Sequence, residues 1–434
     1  MKQLITLSAL LLLLTASASA QFTFKQKAET IDSISAVLER NYVFPETAKQ
    51  LGVYLRTQLK NKAYDTINSG AVFAEFVSAD LKRVGNDRHL RLHYFDDVLP
   101  PQVTDPLELS PEDRKGYTQW LLAENYGITS LKVLPGNIGY VDFKWFCDPE
   151  FAGETYTAMM NYLEHTDALI IDLRNSQGAM STEVIPFLSS YFFEKPVHLN
   201  DYYWRKGNRT IQAWTYSMVP GKKYLKKPVY ILTSGKTFSG AEELAYNFKN
   251  LKRATLIGES TGGGANGGGT IRVSDHFNMF VPLGRSINPV TNTNWEGVGV
   301  QPDTVIKSNR ALHKAQLTAL EFLVKKFKDD ANWKGYISSQ LEEIKKSTPV
   351  FLKHTFALAG FEDAKEVYVA GSFNNWSPKT DKLQRKGTIW ITDVEAEPGK
   401  HTYKFILDGR WILDPNNPEK LKEGEYENSV IIIK

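Results

Sequence analysis

The chain has 434 residues, of which 42% are hydrophobic and 23% charged, and its formal net charge is +3 at pH 7. This length exceeds what one ordinary hydrophobic core accommodates, so two or three domains are expected. The near-balanced charge, without a basic run longer than two or three residues, argues against nucleic-acid binding and against a membrane-surface role, because both need a concentrated basic face.

The N-terminal residues have the composition of a secretory signal peptide, which we assign to residues 1–20. Lys2 precedes an apolar run from Leu4 to Leu14, and small residues follow up to Ala20. This pattern predicts cleavage after Ala20. The apolar run is too short to span a bilayer and no later segment reaches that length, so we expect no membrane anchor. The sequence therefore predicts a periplasmic or secreted protein.

Cys147 is the only cysteine, so no internal disulfide can form. An exported chain without disulfides suits a periplasm or the cell exterior when its core is large. Cys147 follows an aromatic run at residues 143–146, which favours a buried structural cysteine over a thiol nucleophile.

Residues 21–94 predict a small helical subdomain. Between Ile31 and Leu38 apolar residues recur at three- and four-residue spacing, and two further helical segments follow. Residues 88–94 then alternate like a strand. Several prolines mark residues 95–130 as a connector.

Residues 131–307 change to α/β character. Continuous apolar runs, which predict buried strands, alternate with helical segments and lie at residues 138–143, 168–173, 229–233 and 254–258. Strands that alternate with helices need crossover connections, so this region predicts a parallel or mixed sheet covered by helices.

The C-terminal part has two sections. Residues 308–347 predict a helical linker, and residues 348–434 contain short strands separated by turn residues. The latter pattern predicts an all-β, immunoglobulin-like sandwich. The predicted fold class is thus α/β, with an N-terminal helical subdomain and a C-terminal sandwich.

The first chemical motif spans residues 233–243 and reads TSGKTFSGAEE. A buried strand leads into a glycine-bearing turn, then Ser239, then a helix. A hydroxyl at a helix N-terminus lies beside free backbone amides, which favour a developing oxyanion. The spacing of Ser239 and Glu242 also fits a simple capping box, so the motif alone leaves a catalytic and a structural interpretation open.

Two further motifs follow predicted strands. Residues 172–179 read DLRNSQGA, and Gly178 could present its amide to a substrate carbonyl at the sheet edge where ligands bind in α/β folds. An ordinary loop with an Asp–Arg pair is the alternative. Residues 259–269 contain a glycine run that permits close backbone approach to a ligand. A nucleotide phosphate cradle is disfavoured there, because the run lacks a GK[ST] ending and the strand–loop–helix order.

In this order, and together with WEGVGVQPD at residues 295–303, these motifs resemble the tail-specific (C-terminal processing) serine peptidase family. The likeness covers roughly residues 25–306 and points to the branch similar to interphotoreceptor retinoid-binding protein and tricorn. The resemblance implies a ClpP/crotonase-like mixed sheet, a nucleophilic Ser239, and an oxyanion hole formed by the amides of Gly178 and Gly240.

The catalytic base distinguishes two branches of that family. The processing branch uses a lysine about 25 residues after the serine, but Gly264 occupies this position. The tricorn-like branch uses a histidine from the N-terminal helical region and a late glutamate, and the resemblance assigns His89 and Glu296. The imidazole would take the serine proton, and the carboxylate would orient the imidazole directly or through another group. His93 lies two residues on and could be mistaken for His89.

This chain departs from the family pattern at two points. The second glycine of the family's DLR-x-x-x-GG pattern is Ala179, which reduces backbone freedom there. Residues 95–130 are too short for the peptide-binding PDZ domain of processing peptidases. No His/Asp cluster has metal-ligand spacing, so no metal and no other cofactor is expected.

The last domain resembles the glycogen-binding module of the AMP-activated kinase β subunit. The likeness rests on VYVAGSFNNW, YKF and DGRW, at residues 367–376, 403–405 and 408–411. The resemblance implies that sugar rings stack on Trp376 and Trp411 and that polar contacts come from Lys404 and Asn428. Aromatic faces suit the C–H-rich faces of pyranose rings. Alternatively, the sandwich only packs against the catalytic domain and buries both tryptophans.

The sequence therefore predicts an exported serine peptidase that acts on peptides or proteins and carries a module for an α-glucan. Nucleic acid is not expected as a partner. Two alternatives remain: a catalytically idle binding protein that retains the fold, and a carbohydrate-handling protein whose sandwich has the main function. A missing contact between serine and histidine would favour the first alternative.

Overall fold

The computed structural model describes residues 22–101, 110–374, 376–378, 380–424 and 426–434. The predicted leader, residues 1–20, lies outside the described residues. The described part contains these α-helices: α1 (Phe24–Asn41), α2 (Pro45–Lys60), α3 (Gly70–Gly85), α4 (Pro111–Ala123), α5 (Pro149–Leu163), α6 (Val184–Ser189), α7 (Gly240–Asn250), α8 (Ser308–Lys326) and α9 (Ala331–Lys346).

The strands fall into the peptidase region and the C-terminal module. Those of the first region are β1 (Arg91–Tyr94), β2 (Ile128–Leu134), β3 (Ile138–Phe143), β4 (Ala168–Asp172), β5 (His198–Trp204), β6 (Arg209–Trp214), β7 (Val229–Thr233), β8 (Thr255–Gly258), β9 (Gly268–Arg272), β10 (Phe277–Pro282), β11 (Gly284–Ile287) and β12 (Thr304–Val305). Those of the module are β13 (Leu352–Ala359), β14 (Val367–Gly371), β15 (Asp381–Lys386), β16 (Ile389–Ala396), β17 (Gly399–Leu407), β18 (Arg410–Ile412), β19 (Lys420–Glu423) and β20 (Tyr426–Ile433).

The three N-terminal helices form the predicted helical subdomain. Thr23 caps α1, since its hydroxyl accepts a hydrogen bond from the Gln26 amide and the Gln26 side chain accepts one from the Thr23 amide. Proline at the first position starts α2, where no intrahelical donor is needed. The apolar faces of the helices share one core with residues of β10, among them Phe277 and Met279.

A six-stranded sheet forms the centre of the α/β region, in the order β12-β8-β7-β4-β3-β2. Only β2 pairs antiparallel, so the predicted mixed sheet is confirmed. Both faces of its central strands β4 and β7 are buried, which explains their continuous apolar runs. β4 and β7 end at the same edge of the sheet. The motif DLRNSQGA begins at the end of β4, and the motif TSGKTFSGAEE begins at the end of β7.

Helix α8 is a layer of this domain and not part of a linker. Its small residues Ala311, Ala315 and Ala319 recur every four positions and pack on the sheet beside Ile170 and Leu232. The sequence interpretation placed residues 308–347 in a helical linker, because the alanine stripe has little apolar area of its own. The predicted connector, residues 95–130, likewise contains a helix, α4.

Two small sheets connect the helical subdomain to the α/β region. One has the order β1-β10-β9, with Leu92 opposite Met279, and the other has the order β11-β5-β6. The short link from α3 to β1 therefore lies against the α/β region. This arrangement places residues 86–90 at the end of the central sheet.

The C-terminal module is an antiparallel sheet in the order β13-β16-β15-β14-β17-β20-β19, with β18 paired to β17. It curls around a core that includes Phe356, Val369 and Phe405. The predicted all-β fold is confirmed.

No helix in the part of the chain that the structure describes is long and apolar enough to cross a membrane. Cys147 is buried, and burial raises the pKa of its thiol to about 12. A thiol with this pKa remains protonated at neutral pH, which agrees with the structural role predicted for it.

Candidate active site

Ser239 lies at the turn between β7 and α7. Its backbone has φ 54° and ψ −126°, a conformation that side-chain-bearing residues rarely adopt. The hydroxyl of Thr237 donates to the carbonyl of Leu173 at 2.7 Å, which ties this turn to the end of β4. The strained turn holds the partly exposed Ser239 above the sheet edge, at the N-terminus of α7.

The carboxylate of Glu242 fixes this turn to the glycine run. It is buried and accepts hydrogen bonds from the amides of Ser239 (2.9 Å), Gly263 (2.6 Å) and Gly264 (2.8 Å), and from the Thr261 hydroxyl. Burial raises its pKa to about 7, although these donors oppose the shift. Glu242 thus does more than cap its own helix, because it joins two of the predicted motifs.

His89 is the histidine that reaches the nucleophile. Its Nε2 lies 3.1 Å from Ser239 Oγ, although the two residues are 150 positions apart in the chain. The ring is 8% exposed and packs between Phe238 and Phe280, with centroid distances of 4.5 and 5.5 Å. His93 lies on β1 opposite Asn278. The structure therefore brings together Ser239 and His89 as the sequence predicted.

Asp87 is the carboxylate nearest to the imidazole, and the sequence interpretation missed it. Its Oδ1 lies 3.6 Å from His89 Nδ1 and accepts the His89 amide at 3.0 Å. Its Oδ2 accepts the Tyr42 hydroxyl at 3.1 Å and the Asn266 side-chain amide at 2.9 Å. One oxygen is thus anchored while the other faces the ring.

Glu296 lies behind this pair. Its Oε2 accepts the amides of Ala265 (2.6 Å) and Asn266 (3.2 Å), and no hydrogen-bond partner for Oε1 is found among the described residues. Burial raises the pKa of Glu296 to about 8, and the nearby charge of Asp87 adds to the shift. No hydrogen bond between Glu296 and His89 is found in the described ranges, so its role as the orienting carboxylate stays a prediction.

Asp87, His89 and Glu296 each offer one ligand atom, and these atoms lie within 4.8 Å of one another. This grouping could hold a metal ion, and sequence spacing did not reveal it because Glu296 is remote in the chain. An ion there would use Nδ1 of His89, since Nε2 faces Ser239. Structural zinc usually takes four protein ligands, one more than this group offers. The expected absence of a metal stays a prediction.

The amides of Gly178 and Gly240 lie beside Ser239. Gly178 has φ +122°, and a Cβ placed on it would lie 2.8 Å from Ser239 Cβ and 3.2 Å from the Gly240 nitrogen. A Cβ on Gly240 would lie 2.4 Å from Ala179 Cβ. The Gly178 carbonyl accepts the Phe146 amide at 2.8 Å, which orients this peptide. Two backbone donors beside the nucleophile can bind an oxyanion.

Gly264 shows why a lysine is absent from the position that the processing branch uses. A Cβ at this residue would lie 2.3 Å from Phe238 Cζ and 2.6 Å from His89 Cε1. Real Cβ contacts are longer, so no side chain fits without moving the imidazole. His89 therefore fills the space that a lysine would need.

The predicted sugar-binding residues are brought together in part. The rings of Trp376 and Trp411 are 6.3 Å apart at 40°, and Trp411 is 45% exposed. Lys404 Nζ lies 5.8 Å from the ring centre of Tyr426, an exposed residue that sequence reasoning missed. Asn428 is only 5% exposed and its side chain donates to Glu423 at 2.7 Å, which leaves it little surface for a ligand.

Three family profiles match the chain. Residues 137–306 match peptidase family S41, and residues 15–116 match the N-terminal domain of family S41 found in eukaryotic IRBP. Residues 358–434 match the glycogen recognition site of AMP-activated protein kinase.

Among curated relatives, the chain is 28% identical over 107 residues to the human 5'-AMP-activated protein kinase subunit β-2, which covers 25% of this chain and 37% of that protein. It is 39% identical over 70 residues to the β-1 subunit of Sus scrofa, which covers 16% of this chain and 56% of that protein. In both cases the chain covers less than two thirds of the relative.

Among solved structures, the photosystem II D1 C-terminal processing protease is similar with 16% identity and a TM-score of 0.39, over 64% of this chain and 92% of that chain. The profiles span the helical subdomain, the α/β region and the sandwich. Over residues 15–116 and 137–306 the chain therefore belongs to peptidase family S41, a family of serine peptidases, and it ends in a module of the glycogen-recognition type.

Proposed function

We propose that this protein is an exported serine peptidase with Ser239 as nucleophile and His89 as general base. The observation that supports this most strongly is the 3.1 Å contact between Ser239 Oγ and His89 Nε2. This distance suits proton transfer from the hydroxyl to the ring. The predicted leader, residues 1–20, supports export.

The first chemical step is attack of Ser239 Oγ on the substrate carbonyl carbon, while the hydroxyl proton passes to His89 Nε2. For Nε2 to accept, the resting ring carries its proton on Nδ1, which faces Asp87. The imidazolium that forms is stabilised by that carboxylate. The oxyanion of the tetrahedral intermediate accepts hydrogen bonds from Gly178 and Gly240.

The second step returns the proton. His89 donates it to the leaving amine, and the peptide bond breaks to give an acyl-enzyme on Ser239. Water then attacks the ester, with His89 again as the base, and releases the second product. No other reactant is needed.

Glu296 has an indirect role in this proposal. With a pKa near 8 it is mostly neutral at pH 7. It holds the amides of Ala265 and Asn266, and Asn266 in turn holds Asp87. We therefore assign Glu296 as a positioning residue that acts through Asn266 and Asp87.

The module adds an α-glucan as a further proposed ligand. The likeness to kinase β subunits and the exposed face of Trp411 support this assignment. The alternative in which the sandwich buries both tryptophans is disfavoured by that exposure. The catalytically idle alternative is disfavoured by the contact between Ser239 and His89.

The test is hydrolysis of a fluorogenic peptide library by residues 21–434. Ser239→Ala and His89→Ala should each lower kcat by about 10⁴-fold or more, with the fold checked by circular dichroism. His93→Ala is the matched control and should keep activity. Unchanged activity in Ser239→Ala, or no hydrolysis of any library member by the wild type, would contradict the proposal.

A further inference from the structure

The sugar-binding-type module is fixed to the peptidase and does not hang from a tether. Lys307 forms an ion pair with Asp381, a largely buried carboxylate of the module. Arg310, on the first turn of α8, pairs with Glu395 at 2.7 Å. Charges at the start of α8 thus hold the module in one orientation.

One loop of the module packs on the turn that carries the nucleophile. A Cβ placed on Gly235 would lie 2.4 Å from Ser377 Oγ, so the Ser377 side chain packs directly against the backbone of Gly235. The hydroxyl of Thr380 donates to Glu259 at 3.0 Å, at the end of β8. Ser377 is fully buried, and it directly follows Trp376.

A second part of the module contacts the helical subdomain. The Arg410 guanidinium lies over the ring of Phe76, 4.4 Å from its centre. Phe76 belongs to α3, the helix whose chain continues to Asp87 and His89. Arg410 directly precedes Trp411.

The aromatic pair therefore lies between two contacts with the peptidase. Trp376 directly precedes Ser377, which contacts Gly235 in the turn before Ser239. Trp411 directly follows Arg410, which contacts Phe76 on the helix that precedes His89. Their rings are 6.3 Å apart, and Trp411 remains 45% exposed, so the pair is open to solvent. Its position is set by the peptidase as much as by the module.

Chain geometry limits the distance to the nucleophile. Consecutive Cα atoms are about 3.8 Å apart. Four such steps lead from Ser239 back to Gly235, and one more leads from Ser377 to Trp376. Together with the contact between Gly235 and Ser377, these steps keep the Cα atoms of Trp376 and Ser239 within about 26 Å of each other. An extended peptide of about eight residues spans that distance. A peptide of this length is therefore long enough to connect the two places.

We propose that Trp376 and Trp411 form a saccharide subsite of the peptidase, and that its substrates are peptides or proteins that carry a glycan. The sugar stacks on the tryptophans while the attached peptide is cleaved at Ser239. This inference rests on the proposed peptidase function. Binding energy from the remote sugar raises kcat/KM, because the second contact forms within one molecule.

The test compares one fluorogenic peptide with and without a maltopentaose chain on a side chain. The sugar is placed at distances from about two to ten residues from the scissile bond, which covers the span set by the geometry. The glycosylated peptide should be cleaved with a kcat/KM about 10-fold or more higher at a preferred spacing.

Trp376→Ala and Trp411→Ala should each remove this preference, so that both peptides are cleaved with the same kcat/KM. Trp214→Ala is the matched control, since Trp214 on β6 is also 45% exposed. It should keep the preference. An equal kcat/KM for both peptides at every spacing would overturn the subsite and leave the peptidase assignment intact.

Calorimetry with maltoheptaose on the Ser239→Ala protein measures the subsite without catalysis. Binding that is lost in the Ser239→Ala, Trp411→Ala double variant supports the proposal. Absence of binding overturns the subsite alone. Binding without hydrolysis of either peptide by the wild type would overturn the peptidase function, and the glycan-bearing substrate with it.

Discussion

The catalytic cluster and the tryptophan pair of the module differ in how the chain builds them. The cluster joins Ser239 to His89, which is 150 residues away in the chain, and keeps His89 and Asp87 buried. The pair comes from one sheet, with Trp376 between β14 and β15 and Trp411 on β18, and it leaves Trp411 half exposed. Buried groups that are held by several contacts have a fixed geometry, so we expect changes there to affect rate and stability far more than changes in the exposed pair.

Outside the Ser239–His89 pair, the largest effect is expected for Asp87→Asn. An amide at this position cannot stabilise the imidazolium and favours the wrong tautomer of His89, so kcat should fall by about 10³- to 10⁴-fold. The measurement is steady-state hydrolysis of the best peptide, with folding checked by circular dichroism. A folded Asp87→Asn protein with the wild-type kcat would show that the nearest carboxylate has no part in the reaction.

Buried carboxyl groups in the peptidase region should also make the stability of the protein depend on pH. Glu243 is fully buried against the Tyr202 hydroxyl, and burial raises its pKa from 4.5 to about 7. A raised pKa means that the folded state holds this proton more tightly than the unfolded state. The contribution of Glu243 to the free energy of unfolding is therefore complete below pH 4.5. It is lost as the pH rises through about 7, and this loss is on the order of 3 kcal/mol.

Glu243→Gln cannot ionise, so this variant should lose less stability between pH 5 and pH 8 than the wild type. Urea unfolding at both pH values measures the difference. Glu242 and Glu296 also have raised pKa values and act in the same direction, so part of the slope should remain. A slope identical to that of the wild type would contradict the effect of Glu243.

The next largest loss of rate is expected for a substitution at Gly264, where there is no space for a side chain. In Gly264→Ala the added methyl group overlaps Phe238 and His89 and displaces the imidazole, and misplacement of a catalytic group by about 1 Å costs about 10²-fold in rate. Gly269→Ala is the matched control in the same glycine run, since a Cβ there meets nothing within 4 Å. Equal kcat values for the two variants would rule out the close packing at residue 264.

The smallest effect is expected for Glu296→Gln. Because the carboxyl is mostly neutral below its pKa of about 8, the amide resembles the state that is present at pH 7. We expect kcat at pH 7 to fall by less than about 10-fold, and the pH profile to change only above pH 8. A loss as large as that of Asp87→Asn would instead indicate that Glu296 acts directly on His89.

The sequence predicted much of this architecture, because periodicity and motif order depend on local chemistry. It indicated the helical subdomain, the buried strands of the central sheet, Ser239 and His89. It missed Asp87, since an acid in the loop before His89 has no local feature that separates it from a surface residue. The anchoring contacts of Asp87 come from Tyr42 and Asn266, which only the fold brings together.

Other features were missed for a similar reason. The role of α8 as a covering layer depends on small alanines that fit the sheet surface, not on apolar area. The closeness of the tryptophan pair to the nucleophile depends on the contacts of Ser377 and Arg410 across domains. Contacts between distant segments are therefore the part that a single sequence did not provide.

Covalent labelling with a fluorophosphonate probe tests the central claim most directly. Peptide mapping by mass spectrometry should locate one adduct on Ser239 in the wild type. The rate of labelling should fall by about 10³-fold or more in His89→Ala, because the nucleophile loses its base. No adduct should form in Ser239→Ala. An adduct on another serine, or labelling of Ser239→Ala at the wild-type rate, would contradict the assignment of the nucleophile.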